Sequence, residues 1–149
     1  MNSDMIKVLS PGILTTVQDL GRTFYQRFGV PQSGALDTTA LRVANILVGN
    51  SEDAAGLEIT ANGPKLRFLA DTIIAITGAN LGATLDDKPI QEWQSFPVQR
   101  DSVLDFEGLI DGFRAYIAFS GGIDVPIVMG SRSTYLRGGF GGFEGRALM

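Results

Sequence analysis

Cysteine and histidine are both missing from this chain of 149 residues. Without them there is no Ser-His-Asp triad, no cysteine nucleophile, no disulfide and no ordinary zinc site. Acid–base chemistry is left to carboxylates, tyrosine, lysine or a partner subunit, and lysine occurs only as Lys7, Lys65 and Lys88. Basic runs are absent too. The net charge of −4 and pI of about 4.7 exclude bulk attraction to nucleic acid or to anionic lipid. No apolar run nears the ~18 residues of a membrane span, and the longest, within Thr72–Thr77, is strand-sized. The N-terminus carries no charged leader followed by an apolar stretch, so no secretory leader is expected and the cytoplasm is the expected location. The Gly-x4-Gly-Lys-Ser/Thr phosphate loop is also lacking.

What is present is an ordinary globular composition, 44% hydrophobic and 19% charged, enough for one domain or a piece of a larger one. The most unusual stretch is Thr15–Asp37. It packs Gln18, Asp19, Arg22, Gln32, Ser33 and Asp37 among glycines and a proline. That is too polar for a core strand and too apolar for a flexible linker. It reads as a loop whose backbone makes its side chains converge, braced by the helix after it.

The spacing predicts that helix over 37–48, with Leu36, Ala40, Val43, Ala44 and Leu47 on one face. Asp37 is its candidate N-cap and Gly49-Asn50 its stop. Everything else reads as strand: 6–9, 13–17, 57–60, 66–69, 72–77, 83–85, 88–90, 96–98, 103–106 and 114–119. Short strands at regular intervals, with one central helix, predict a mainly β fold and a closed or nearly closed barrel. The expected organisation is a flexible tail at 1–5, a barrel-like body at 6–130 and a Gly-rich segment at 131–149.

Asp86-Asp87 reads as a hairpin turn, and two adjacent acids without further spaced ligands do not argue for a metal. Gly138–Gly145 superficially matches a dinucleotide fingerprint but follows no strand-to-helix unit. The single Arg137-Gly-Gly-Phe140 in an acidic chain does not make an RNA-binding box. Close backbone approach, anchored by Phe140 and Phe143, accounts for the segment. Glu58 points away from Leu57 and Ile59, either into a site or into solvent. Arg132, Tyr135, Arg137, Glu144 and Arg146 crowd together, either to hold an anion or to pair among themselves or with a partner protein.

Six stretches in order, TTVQDLGR at 15–22, GVPQSGALD at 29–37, NILVGN at 45–50, LEIT at 57–60, GGIDVP at 121–126 and GSRST at 130–134, resemble one family. It is the biotin-dependent carboxyltransferase/allophanate hydrolase subunit 2 family, which includes KipA-type proteins and the C subunit of 5-oxoprolinase. The resemblance covers about Val8 to Leu148. It implies a cyclophilin-like β-barrel, of which this chain is the N-terminal half of a two-part domain. It also implies a KipI-like (allophanate hydrolase subunit 1) partner, and in the 5-oxoprolinase case a third subunit. The implied activity is ATP-dependent opening of the 5-oxoproline lactam, or carboxyl transfer from carboxybiotin to an amide such as urea. No Ala/Met-Lys-Met surrounds any lysine, so the chain is not a biotin carrier. ATP or carboxybiotin is expected to come through partner subunits, and no cofactor is expected on this chain.

On this reading the catalytic candidates are Asp19, Arg22 and Glu58, and the substrate-binding candidates are Gln18, Ser33, Asp37, Arg132 and Arg137. Arg22 and Arg132 are expected to hold a carboxylate or developing oxyanion. Asp19 or Glu58 serves as general base on the condition that burial raises its pKa. The competing expectations are a KipA-type module that binds a subunit-1 protein without chemistry, and an inactive fragment.

Overall fold

Alternation along the strands sorts this chain into three layers. A computed structural model describes residues 5–149. The tail expected at 1–5 lies outside them except for Met5, whose carbonyl accepts from the Leu69 N–H at 2.8 Å. The order is β1 (Ile6–Ser10), β2 (Leu14–Gln18), a 3-10 turn (Gln26–Phe28), α1 (Thr38–Leu47), β3 (Gly56–Thr60), β4 (Lys65–Phe68) and β5 (Thr72–Asn80). Then come β6 (Ala83–Leu85), β7 (Lys88–Pro89), β8 (Ser95–Val98), β9 (Val103–Phe106) and β10 (Asp111–Phe119). They pair as two five-stranded antiparallel sheets, β1-β4-β9-β6-β7 and β2-β3-β10-β5-β8.

In β5, Ile74 and Ile76 enter the core between the sheets with Leu66, Phe68 and Leu104. The intervening Ala75 packs on Ala44 and Val48 of the helix side, and Thr77 donates its hydroxyl to the Ala40 carbonyl at 2.7 Å. β10 does the same: Ala115, Ile117 and Phe119 face the sheets' core, while Tyr116 and Ala118 face the helix. The second sheet is therefore covered on both faces, by the first sheet and by α1.

The mainly β, one-helix reading holds, but the strands do not close into a barrel. Pro11-Gly12 carries the chain from the first sheet to the second, so consecutive β1 and β2 never pair. At the opposite edges β7 ends in Pro89 and β8 carries Pro97. A proline nitrogen has no hydrogen with which to extend a ladder. The Asp86-Asp87 hairpin forms, with φ of 51° and 65°.

The buried face of α1 is Ala40, Leu41, Ala44 and Asn45, rotated from the expected one. Leu36 is 73% exposed because it precedes the N-cap rather than lying on the helix. Asp37 does cap, accepting from the Ala40 N–H at 3.0 Å, and Gly49 (φ 81°) turns the chain out at the end.

The second sheet is irregular at one point, where β5 and β10 lose register between Asp111 and Ala115. Gly78 and Gly112 occupy this break at φ 87° and 80°, and a Cβ on either would come within 2.7 Å of the other strand. Such bulges recur beside functional sites.

Leu41 is fully buried between α1 and the sheet. Leu41→Ala is expected to lower unfolding free energy by about 2–5 kcal/mol, read as a fall in the urea midpoint. Arg42→Ala, on the exposed side of the same turn, should stay within about 0.5 kcal/mol of the parent.

Candidate functional site

Two polar clusters form on the helix side of the second sheet and beside it, one open and one closed. The open one begins with Tyr116, directly across from Glu58 in the β10–β3 register. The Tyr116 hydroxyl donates to Glu58 Oε2 at 2.8 Å and accepts from the Asp37 N–H at 2.8 Å. Glu58 Oε2 also accepts from the Leu36 N–H at 2.8 Å. Burial, with the Glu58 charge adding to it, pushes the Tyr116 hydroxyl above its ordinary pKa, so it stays protonated. Arg114 lies two residues before Tyr116 on the same face, its Nε 3.8 Å from Glu58 Oε1. That Nε is buried and has no hydrogen-bond partner among the described residues. In front of this set opens a cleft of about 680 Å³, lined by Leu36, Asp37, Asn80, Trp93, Phe113 and Arg114 among others, with Gly78 and Gly112 of the bulge in its wall.

The closed cluster joins β2 to the Gly-rich segment. Asp19 Oδ1 accepts from the Gly21 N–H at 2.8 Å, the Ser131 hydroxyl at 2.6 Å and the Ser133 hydroxyl at 2.7 Å. Its Oδ2 accepts from the Arg132 N–H at 2.8 Å. Burial alone would raise the Asp19 pKa, but these donors together hold it below the ordinary carboxylate value. Arg22 is 1% exposed. It donates from Nη2 to the Ser133 carbonyl at 2.7 Å and from Nε to the Val128 carbonyl at 3.3 Å, and lies 5.1 Å from the centre of the Phe140 ring. Its Nη1 is unpaired among the described residues but sealed from solvent. Burial lowers the Arg22 pKa and the Asp19 charge opposes this. Gln18 completes the clasp: its Nε2 reaches the Thr16 hydroxyl at 3.1 Å and the Thr134 carbonyl at 3.4 Å, and its Oε1 accepts from the Gly34 N–H at 3.1 Å. A side chain on Gly141 would run into the Ser133 carbonyl, so glycine is required there.

Over residues 28–149 the sequence matches the family described as carboxyltransferase domain, subdomain A and B. The chain belongs to that family. It is 49% identical to the urea amidolyase of Lachancea kluyveri, over 95% of this chain and 8% of that protein. It is 45% identical to the 5-oxoprolinase C subunit of Escherichia coli, over 97% of this chain and 46% of that protein. The crystal structure of Kluyveromyces lactis urea carboxylase superposes with a TM-score of 0.94 at 44% identity, covering 99% of this chain and 13% of that one. The chain thus spans about half the length of the bacterial subunit and a small part of the yeast proteins.

Within this carboxyltransferase-family chain most of the residues singled out from sequence fall in one cluster or the other, and Ser33 and Arg137 in neither. Gln18, Asp19 and Arg22 converge as a buried clasp. The condition for Asp19 to act as a base, a raised pKa, is not met. Arg132 sends its Nε to the Val125 carbonyl at 3.1 Å, and Arg137 is exposed on the Gly-rich segment. Ser33 is half-buried at φ 53°. Glu58 and Asp37 are linked through the Tyr116 hydroxyl, and Asp37 lines the cleft. Glu144 pairs with Arg146 at 2.9 Å, one of the pairings considered for that stretch. Sequence reasoning missed Tyr116, Arg114 and Trp93. Arg114 and Tyr116 had a signal in their strand alternation, a guanidinium and a phenol at i and i+2 on one face of a strand. Trp93 had none, since it reaches the cleft through an irregular segment at φ 64°. Among the described residues no group of three or more acidic side chains is disposed to hold a metal, and no helix is long and apolar enough to cross a membrane.

Because the folded Asp19 pKa lies below its unfolded value, its stabilisation is present above the ordinary carboxylate range and is lost as pH falls through the folded value. Asp19→Asn is expected to cost about 2 kcal/mol at neutral pH. The gap to the parent should narrow below about pH 4, as followed by urea midpoints across a pH series.

Proposed function

We propose that this chain is part of an assembly that opens or carboxylates an amide bond, of the 5-oxoprolinase or urea carboxylase kind, with a small amide or lactam as substrate. In it the chain acts with a KipI-like subunit-1 protein and, for lactam opening, with a third subunit, and ATP or carboxybiotin is handled by those partners. The observation that carries this reading is Arg114 lining an open cleft with Glu58 and Tyr116 linked behind it, in a chain whose relatives bear those enzyme names.

Each member of the set has a separable role. Arg114 lines the cleft, and its guanidinium can polarise a carbonyl oxygen there or stabilise charge that develops on it. Tyr116 stays protonated and fixes Glu58 rather than accepting a proton. Glu58, held by two donors on Oε2, keeps Oε1 beside Arg114 as its counter-charge. Asp19 and Arg22 hold the Gly-rich segment, and with it Arg132, against β2.

Turnover of 5-oxoproline to glutamate, measured with ATP and with candidate partner subunits added singly and together, tests the reading. Activity is expected only in the complete mixture. Glu58→Gln, which removes the counter-charge that positions Arg114, should lower kcat about 100-fold while co-purification with the partners is retained. A complex that assembles yet neither hydrolyses 5-oxoproline nor carboxylates urea would overturn it in favour of a KipA-type binding module.

A further inference from the structure

We propose that the cleft at the N-terminus of α1 receives the uncharged amide group of its ligand rather than a carboxylate, and that Arg114 is the residue that holds the carbonyl oxygen. This rests on the reading above and narrows it to one group and one residue.

Arg114 is an arginine with its donors unused. Its Nε is buried and unpaired, Glu58 Oε1 at 3.8 Å is beyond hydrogen-bond reach, and its guanidinium is 5.7 Å from the centre of the Phe113 ring. The Nε is closed to solvent, but the side chain as a whole is 30% exposed and its terminal nitrogens donate to nothing among the described residues, which leaves them for a ligand acceptor. Arg22 also carries an unpaired nitrogen, but it lines none of the described cavities, whereas Arg114 borders the 680 Å³ cleft.

Charge decides which acceptor. Asp37, Glu92 and Asp111 line the cleft with Arg114, and Glu58 stands behind it, four carboxylates against one guanidinium. A free carboxylate entering there meets net repulsion. A neutral amide does not. It offers a carbonyl to the guanidinium and N–H donors to acceptors such as Asp37 and Asn80, using both signs of the lining at once. The flat apolar surfaces of Trp93 and Phe113 suit a planar group. On this account an oxoproline ring presents its lactam to Arg114 and keeps its carboxylate turned away from this cleft.

Trp93 is the only tryptophan in the chain and lines the cleft, so its fluorescence reports occupancy directly. The 149-residue chain is titrated with 2-pyrrolidone, a neutral lactam, with acetate and with 5-oxoproline. A saturable Trp93 response is expected for 2-pyrrolidone, a weaker one for 5-oxoproline and none for acetate in the same range. Arg114→Gln should weaken 2-pyrrolidone at least about tenfold. Arg114→Lys, which keeps the charge but loses the planar fork, should fall between. Asp111→Asn should bring acetate binding up, because it removes one repelling charge. Acetate binding as well as the lactam, lactam affinity unchanged in both Arg114 variants, or no response to any probe would each overturn the assignment. Lactam binding in a chain whose complete assembly turns nothing over would leave the cleft assignment standing and sink the enzymatic reading instead. Turnover without lactam binding here does the reverse.

Discussion

The phenolic hydroxyl of Tyr116 is the point at which the helix is tied to the second sheet. Tyr116 is fully buried, so its hydroxyl must be paired or cost about 1–3 kcal/mol. It is paired twice, donating to β3 through Glu58 and accepting from the chain at the start of α1 through Asp37. The Asp37 N–H lies ahead of the helical ladder and has no partner within it. One side chain thus fixes where the helix begins, which face of β3 the carboxylate occupies and where the Leu36–Asp37 wall of the cleft stands. The other contacts of α1 with the sheet are apolar or, like Thr77 to Ala40, satisfy one group each.

Each polar cluster sets a carboxylate beside an arginine, but the two differ in what they have left to offer. Asp19 receives four donors, and Arg22 is sealed beneath Phe140. The bonds they make hold the Gly-rich segment to β2, and the one Arg22 nitrogen left over is sealed from solvent. At the cleft, Glu58 Oε1 and the Arg114 guanidinium face each other at 3.8 Å without bonding. Breaking a buried charge network is costly because it leaves a charge unpaired, which makes the first cluster a good staple. An arginine whose donors are idle beside open volume is what recognition requires. Access to open volume, rather than residue identity, distinguishes the proposed site from the staple.

That distinction also marks how far the sequence could be read. The strands, the Asp37 cap, the Gly49 stop and the Asp86-Asp87 turn were legible because period and turn chemistry are local. Barrel closure was not, since it depends on which edges meet, and the prolines at 89 and 97 act only once their strands are known to be edges. The opening loop was correctly singled out as a place where polar side chains converge. Whether they converge on solvent or on another part of the chain depended on Ser131 and Ser133, more than a hundred residues away. The face of α1 was misjudged by including Leu36, a residue outside the helix, and Leu41 took its place in the core. Glu58 was recognisable from alternation, but its partners on β10 become visible only with the register.

The proposed dependence on partners has a dielectric reason. The cleft is open, so Arg114 acts on a carbonyl in the presence of water. Two unit charges 4 Å apart interact by about 1 kcal/mol in bulk water and about 4 kcal/mol in a surface-like dielectric. An arginine that merely discriminates amide from carboxylate works in the first regime. One that stabilises developing charge enough to open an amide needs the second, and water must then be excluded. Nothing in the described residues covers Leu36, Trp93 and Phe113, all exposed apolar side chains around the cleft. A partner surface placed over them would bury apolar area and lower the local dielectric in a single step. Recognition can therefore belong to this chain while the rate belongs to the assembly, which is the division of labour that the idle donors of Arg114 imply.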